Sequence, residues 1–269
     1  MKHRYSSNEI TAAELKRYRS LLQKKYREKE QMYIVEGVRL CEELFQSPIK
    51  IASVLCTPDF GTSEQRQQQL LRLMKAREIS HHRISQKQFG SISATEQSQG
   101  IVAICAQHHE PSEILVRRLT ESPVVLLDRI TDPGNLGTII RTCAWFGAAA
   151  VFISRQSVDL YNPKAVRATM GGMFKIPIAV EVDLAAAIQA LKKQGYIIYT
   201  SLTANAEPIE QIRFAANAAL LFGNEAEGVH PAFVSMADHR ITIPGGNVES
   251  LSVSVAVGII LSNVESRSF

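Results

Sequence analysis

Five short runs rich in apolar residues set the strongest limit on how the second half of this chain can fold. Each run has the length of a β-strand and ends at a turn or a polar loop. Strands of a parallel sheet that is covered by helices on both faces have this pattern, because neither face meets water. We therefore predict an α/β domain at 122–269, with a helix at 184–193. The runs are 123–127, 149–153, 196–200, 218–222 and 240–243.

The first 106 residues predict a smaller α/β unit, because short β-type runs alternate there with helical stretches. We expect strands at 32–35, 49–56, 82–84 and 100–105, and helices at 38–45 and 63–75. The stretch 107–121 is polar and contains Pro111, so it is predicted to be the linker between the two domains.

Composition excludes several classes of protein. The 269 residues are 45% hydrophobic and 21% charged, which is typical of folded globular proteins. The longest weakly polar run, 251–262, is far shorter than the roughly 18 apolar residues of a membrane span, and the charged start differs from a signal peptide. We expect a cytoplasmic protein with no membrane partner. The four cysteines lack Cys-x-x-Cys spacing, so we expect buried thiols and no metal site.

Positive charge is concentrated at the start of the chain. Residues 1–30 have a net charge of +5, whereas the whole chain has +4. Apolar residues recur there at helical spacing (Ile10, Leu15, Tyr18, Leu21, Leu22 and Tyr26), which predicts one helix with an apolar stripe and a cationic face. Such a face favours phosphate groups, although a solvated helix is the alternative. The residues predicted to bind such a partner are Arg17, Arg19, Lys24, Lys25 and Arg27.

The loop after the run 123–127 contains the first candidate site. Within 128–141 the chain turns sharply through Pro133 into a helix that carries Asn135 and Arg141. Ligand sites in α/β proteins lie at such carboxyl ends of strands. The stretch is neither a dinucleotide-binding glycine motif nor a P-loop. The alternative is structural, with Asn135 in a turn or cap and Arg141 facing solvent.

Two further loops contain polar residues after apolar runs. The stretch 221–228 places Glu225 between glycines, where it can accept hydrogen bonds from a ligand or can form an exposed acidic turn. The stretch 243–256 has two conflicting patterns. Alternation after Leu251 favours a strand, whereas Ser250 as an N-cap favours a helix.

Together, the three loops in this order resemble the signature motifs of the SpoU (TrmH-type) RNA ribose methyltransferases of the SPOUT superfamily. Residues 123–265 look like the catalytic domain of that family. Tyr-Ile-Val-Glu-Gly at 33–37 and Gln-Ser-Gln-Gly-Ile at 97–101 are similar to its accessory substrate-binding domain. The resemblance therefore covers nearly the whole chain.

The resemblance implies a parallel α/β sheet with a deep trefoil knot, an exception to the rule against threaded chains. It also implies a homodimer with composite sites, and a loop followed by a helix in the third motif. The cofactor would be S-adenosylmethionine, held largely by backbone groups of Leu202, Gly223, Asn224, Ile243 and Leu251. The implied catalytic residues are Asn135, Arg141, Glu225, Ser250 and Ser252, although the family commonly has Asn at the position of Ser252.

Methyl transfer from a sulfonium needs no metal, because the cofactor carries the activated group. The arginine that matches Arg141 is proposed in the family to activate the ribose hydroxyl. Because a guanidinium stays protonated, we expect Arg141 to clamp a phosphate and polarise the hydroxyl. Asn135 and Glu225 would then fix the geometry, while Ser250 hydrogen-bonds in the site.

Asn135 with Arg141 six residues later favours ribose as the target, and the two-domain layout favours ribosomal over transfer RNA by analogy. Two alternatives remain at this point. One is a SPOUT methyltransferase that acts on a base. The other is a non-catalytic RNA-binding ribosome assembly factor.

Overall fold

The computed structural model describes residues 10–120, 122–245, 248 and 250–265. The chain forms two compact units. Of the described residues, the first unit contains those up to His108 together with Tyr161–Arg167, and the second contains those of His109–Leu160 and those from Ala168 onward. The sequence did not predict that the segment Tyr161–Arg167 belongs to the first unit. Lys2 and Arg4, which contribute to the basic segment, lie outside the described residues.

The first unit is built on a four-stranded sheet. Its helices are α1 (Ala12–Ser20), α2 (Lys24–Glu30), α3 (Val38–Phe45), α4 (Gln65–Ala76) and α5 (Gln86–Ile92), and its strands are β1 (Met32–Glu36), β2 (Ile51–Cys56), β3 (His82–Arg83) and β4 (Ile101–Ala106). The strand order is β1-β4-β2-β3, with β4 antiparallel to both of its neighbours. The predicted strands and helices are confirmed with small shifts at their ends, whereas α5 was not predicted.

The second unit is built on a seven-stranded parallel sheet, which confirms the predicted fold class. Its strands are β5 (Val124–Leu127), β6 (Ala150–Ser154), β7 (Ile178–Val182), β8 (Ile197–Ser201), β9 (Glu207–Pro208), β10 (Ala218–Phe222) and β11 (His239–Thr242). The order is β7-β6-β5-β10-β8-β11-β9, and every neighbouring pair is parallel. The five predicted runs all form strands. The trefoil knot stays a prediction, because strand order does not define how the chain is threaded.

The described residues after His108 form six α-helices: α6 (Ser112–Arg118), α7 (Pro133–Trp145), α8 (Pro163–Ala168), α9 (Leu184–Lys193), α10 (Pro231–Val234) and α11 (Val253–Glu265). Helix α8 belongs to the first unit except for Ala168, and the other five belong to the second. The segment 107–121, predicted as a linker, contains α6. Leu115 and Val116 of α6 are buried in the core of the second unit. The third motif is a loop followed by α11, as the resemblance implies. The helix begins after Ser252, whose carbonyl accepts from the N–H groups of Val255 and Ala256, so Ser250 is not its N-cap.

All four cysteines are buried free thiols, as predicted. Burial raises the pKa of Cys56 to about 12 and also raises the pKa of Cys41, Cys105 and Cys143 well above the ordinary thiol value. Within the described ranges, no cluster of His, Cys, Asp or Glu has the arrangement of a metal site, and no helix has the length and apolarity needed to cross a membrane.

The basic segment forms two helices rather than the single predicted helix, because the chain turns after Ser20. Its apolar stripe is confirmed, since Tyr18 and Leu21 are buried in the core of the first unit. Arg27 corrects the predicted RNA-binding set. Its side chain is only 3% exposed and donates hydrogen bonds to the carbonyls of Leu21 (2.9 Å) and Leu22 (3.0 Å). Arg27 therefore satisfies carbonyls left open after α1, and its guanidinium does not face a ligand.

Replacement of Arg27 by alanine should destabilise the first unit, because two carbonyls would lose their partner. We expect the free energy of unfolding in urea to fall by about 1–3 kcal/mol. Lys25→Ala removes an exposed cation of the same segment and should change stability by less than about 0.5 kcal/mol. Unchanged stability of Arg27→Ala together with weaker RNA binding would restore Arg27 to the RNA-binding set.

Candidate active site at the carboxyl ends of the strands

Four neighbouring strands end at the same edge of the parallel sheet. They are β5, β10, β8 and β11, in that order. The first motif follows β5, the second follows β10 and the third follows β11, while Leu202 comes directly after β8. Because the strands are parallel, the loops after them lie side by side. The topology thus brings together the three motifs that the sequence singles out.

The first loop presents Asn135 at the start of α7. The side chain of Asp132 caps this helix by accepting from the N–H of Asn135 at 2.8 Å, and Pro133 occupies the first turn, where its missing N–H costs nothing. Asn135 thus has its backbone fixed by the cap, which leaves its side-chain amide to interact with the neighbouring loop.

Glu225 joins the second loop to the first. Its carboxylate accepts from the amide of Asn135 (3.1 Å), from the hydroxyl of Thr131 (3.1 Å) and from the N–H groups of Thr131 and Asp132 (both 3.4 Å). Partial burial would raise the pKa of Glu225, but these hydrogen bonds outweigh it and hold the pKa below its ordinary value. Glu225 is therefore a carboxylate at neutral pH and can only accept hydrogen bonds.

The third motif reaches the same cluster through a residue that sequence reasoning missed. The hydroxyl of Ser254, in the first turn of α11, donates to Oδ1 of Asn135 at 3.1 Å. The hydroxyls of Ser254 and Ser252 lie 3.2 Å apart. Ser250 is exposed, and no hydrogen bond joins it to this cluster among the described residues. The structure therefore brings together Asn135, Glu225 and Ser252 of the predicted catalytic set.

A second connection between the first two loops was also missed. Arg129 adopts a left-handed backbone conformation (φ 54°), and its guanidinium pairs with the buried carboxylate of Asp128 and with Glu227. It also donates to the carbonyl of Gly228 at 3.1 Å. Asp128 in turn accepts from the N–H of His230 at 2.9 Å. This ion-pair network holds the second loop against the end of β5.

Asn224 and Gly223, both predicted to bind the cofactor, have roles inside the second loop. The side chain of Asn224 donates to the carbonyl of Arg129 (2.9 Å) and accepts from the N–H groups of Ala226 and Glu227. A Cβ atom on Gly223 would lie 2.2 Å from backbone atoms of Gly228 and Val229. The glycine is therefore required by the turn itself, and the side-chain groups of Asn224 are already used.

Arg141 lies apart from the hydrogen-bonded cluster. It is exposed on α7, six residues and about 9 Å along the helix from Asn135. The side chain lines a groove of about 590 Å³ between α7 and α11, together with Thr142, Trp145, Phe146, Gly258, Ile259 and Ser262. Gly172 packs against this helix, since a Cβ there would lie 3.0 Å from Cα of Arg141.

Two of the three remaining residues predicted to bind the cofactor lie at the ends of adjacent strands, and Leu251 lies shortly before α11. Leu202 and Ile243 follow β8 and β11, and the N–H of Leu202 donates to the carbonyl of Ile241 at 2.9 Å, while Leu251 is 45% exposed. Thr200, near the end of β8, has a buried hydroxyl for which no described residue provides a partner.

Two protein families match separate parts of the chain. The SpoU rRNA methylase family matches residues 122–262, and the MRM3-like substrate binding domain matches residues 12–103. The chain belongs to the SpoU rRNA methylase family. The family predicted from the three motifs is thus confirmed, as are the enzyme class and its cofactor, S-adenosylmethionine.

Similar proteins cover nearly the whole chain. The 23S rRNA (guanosine(2553)-2′-O)-methyltransferase RlmP of Bacillus subtilis is 32% identical over 92% of this chain and 94% of its own length. The 23S rRNA (guanosine-2′-O-)-methyltransferase RlmB of Acinetobacter baylyi is 32% identical over 84% of this chain and 93% of its own. The AdoMet-bound rRNA methyltransferase from Sinorhizobium meliloti, for which a crystal structure exists, has 27% sequence identity to this chain. The two structures superimpose with a TM-score of 0.82 over 97% of each chain.

Substitution of Gly223 by alanine should destabilise the second unit, because a Cβ would collide with backbone rather than with a flexible side chain. We expect the free energy of unfolding in urea to fall by about 1–3 kcal/mol, as for an overpacked core. Gly245→Ala is the control, since a Cβ there has nothing within 4 Å. Normal stability of Gly223→Ala with lost binding of S-adenosylmethionine in calorimetry would show that Gly223 faces the cofactor instead.

Proposed function

We propose that this enzyme transfers a methyl group from S-adenosylmethionine to a ribose 2′-hydroxyl of ribosomal RNA. The observation that carries the proposal is the hydrogen-bonded cluster of Asn135, Glu225, Ser252 and Ser254, which joins all three motif loops at one edge of the sheet. The names of the B. subtilis and A. baylyi relatives, which are 23S rRNA guanosine 2′-O-methyltransferases, support ribosomal RNA as the substrate. A ribosomal substrate also supports a cytoplasmic location.

The cofactor supplies an activated methyl group. The chain itself therefore needs to bind the cofactor, orient the ribose hydroxyl and assist loss of the hydroxyl proton. Leu202, Ile243 and Leu251 would hold the cofactor at the ends of β8 and β11. Asn135 and Glu225 would fix the geometry of the ribose hydroxyl, and Ser250 would lie in the adjoining loop.

Arg141 would bind the RNA phosphate next to the reacting ribose. An exposed guanidinium presents a planar set of donors that matches phosphate oxygens in a bidentate way. The residue has no hydrogen bond to the Asn135 cluster, which leaves its donors available for the substrate. The same fork can polarise the 2′-hydroxyl without acting as a base.

The first unit would supply further phosphate contacts through its basic helices. Arg17, Arg19, Lys24 and Lys25 are exposed. Arg17 pairs with Glu30 at 2.6 Å and Lys24 with Glu28 at 3.5 Å, but such exposed pairs are weak and can exchange for phosphate. The match to a substrate binding domain at residues 12–103 supports this assignment.

The enzyme would act as a homodimer built on the groove between α7 and α11. Trp145 beside this groove is 83% exposed, and Val255 on α11 is 47% exposed. Exposed tryptophan next to an apolar groove is typical of a protein interface. A second copy of the chain is the proposed occupant, as the family resemblance implies. Because Arg141 lines the same groove, RNA would meet its guanidinium at the edge between the two copies, in a composite site.

The proposed role of Arg141 is tested by its replacement with lysine, which keeps the charge and removes the planar fork. We expect turnover on ribosomal RNA to fall by about 10²-fold, as for a misplaced catalytic contact, with unchanged affinity for S-adenosylmethionine in calorimetry. Ribose methylations are first mapped in total RNA with and without the gene, which defines the substrate nucleotide.

Arg155→Lys is the matched control, because Arg155 is also exposed in the second unit and donates to the carbonyl of Glu181. It should leave turnover unchanged. Loss of cofactor binding in Arg141→Lys would assign the residue to the cofactor. Methylation of a base instead of a ribose, or RNA binding without methylation, would overturn the proposed function.

The homodimer is tested by Trp145→Glu, which places a charge in the proposed interface. Light scattering should give twice the 29.8 kDa chain mass for the unchanged protein and a single chain mass for the variant. Ile114→Glu changes another exposed apolar residue, on α6, and should leave the dimer intact. A single chain mass for the unchanged protein at micromolar concentration, with cofactor present, would exclude the dimer.

A further inference from the structure

Four side chains form one continuous line of hydrogen bonds across the three motif loops. Ser252 contacts Ser254 at 3.2 Å, Ser254 contacts Oδ1 of Asn135 at 3.1 Å, and Nδ2 of Asn135 contacts Glu225 at 3.1 Å. The line runs from the start of α11, through the start of α7, to the loop after β10. Ser254 is the central link between the third motif and the other two.

The ionised end of this line determines the direction of every hydrogen bond in it. The Glu225 carboxylate only accepts, so the amide nitrogen of Asn135 must face it and donate. Oδ1 of Asn135 is then turned toward α11, and as a carbonyl oxygen it too can only accept. Ser254 must therefore donate its single hydroxyl hydrogen to Asn135.

The same argument fixes Ser252 at the other end. Because the hydrogen of Ser254 is already used, the contact between the two serines requires Ser252 to donate. The oxygen of Ser252 keeps lone pairs that no neighbour in the line can use. Ser252 is exposed whereas Ser254 is half-buried, so the line ends at the surface with an acceptor.

We propose that Ser254 is a positioning residue that holds Ser252 as an oriented acceptor for the ribose 2′-hydroxyl, an inference that rests on the proposed function. A hydroxyl that donates to Ser252 has its own lone pairs directed away from that contact and available to the methyl carbon. The line determines only the orientation of the hydroxyl groups. An amide such as that of Asn135 does not pass protons on, so no proton moves along the line to Glu225. As the ribose oxygen bonded to the methyl group and the carbon–sulfur bond of the cofactor broke, the hydroxyl proton would be released to solvent water at the exposed Ser252.

This arrangement also predicts which residues can replace Ser252 and Ser254. An asparagine there would donate through Nδ2 to Ser254 and accept through Oδ1, so it has the same donor and acceptor arrangement. Alanine at 252 or at 254 interrupts the line. Threonine at 254 keeps the hydroxyl.

The test compares Ser254→Ala, Ser254→Thr, Ser252→Ala and Ser252→Asn in the full-length enzyme, with ribosomal RNA carrying the mapped site as substrate. Each alanine variant should lower kcat about tenfold or more, the scale of one oriented hydrogen bond. KM for RNA, cofactor affinity and melting temperature should change little. Ser254→Thr and Ser252→Asn should each recover most of the lost kcat.

The double alanine variant should be no slower than either single one, because residues that act as a unit are not additive. Ser235→Ala is the control, since it removes a hydroxyl that donates to the carbonyl of Ala232 elsewhere in the second unit. Normal kcat in Ser254→Ala, failure of threonine to restore it, or a loss explained by melting temperature or cofactor affinity would overturn the inference. Absence of ribose methylation by the unchanged enzyme would instead overturn the proposed function.

Discussion

The parallel pairing of β5 with β10 is the constraint on which the site depends. It places two loops side by side although Asn135 and Glu225 are 90 residues apart in the chain. Adjacent strand ends alone would leave two flexible loops. The carboxylate of Glu225 and the ion pairs of Arg129 turn them into one structure, because each side chain binds groups of the opposite loop.

The polar residues of these loops form two groups. In one group the hydrogen-bonding atoms are bonded within the loops, and in the other some of these atoms remain available. Asp128, Arg129 and Asn224 have their donors and acceptors satisfied within the loops, so they build the site. Arg141 and Ser252 retain groups that can meet a substrate. The side chain of Asn224, a motif residue, is thus used within the loops.

A similar division exists in the basic segment. Arg27 is surrounded by the chain and serves the carbonyls after α1, whereas Arg19 and Lys25 face solvent. Charge in the sequence was therefore a correct guide to the cationic face as a whole, but a wrong guide for Arg27. Burial separates the two kinds of cation, and burial depends on how the two short helices pack.

The sequence by itself predicted the parallel sheet and the order of the three motif loops. The family resemblance added Asn135, Glu225 and Ser252, which the structure brings together, and their catalytic roles stay predictions. Apolar runs report burial on both faces of a strand, and a polar loop after such a run lies where parallel strands place ligand sites. Only the tertiary structure decided the roles of Ser254, Arg129 and Gly223. Ser254 lies between Val253 and Val255 in an alternating pattern that gives no sign of a partner, and its contact with Asn135 spans 119 residues. The clash at Gly223 comes from backbone that the turn brings back against it. Such contacts cannot be predicted from local sequence patterns, because they arise from packing between segments that are remote in the chain.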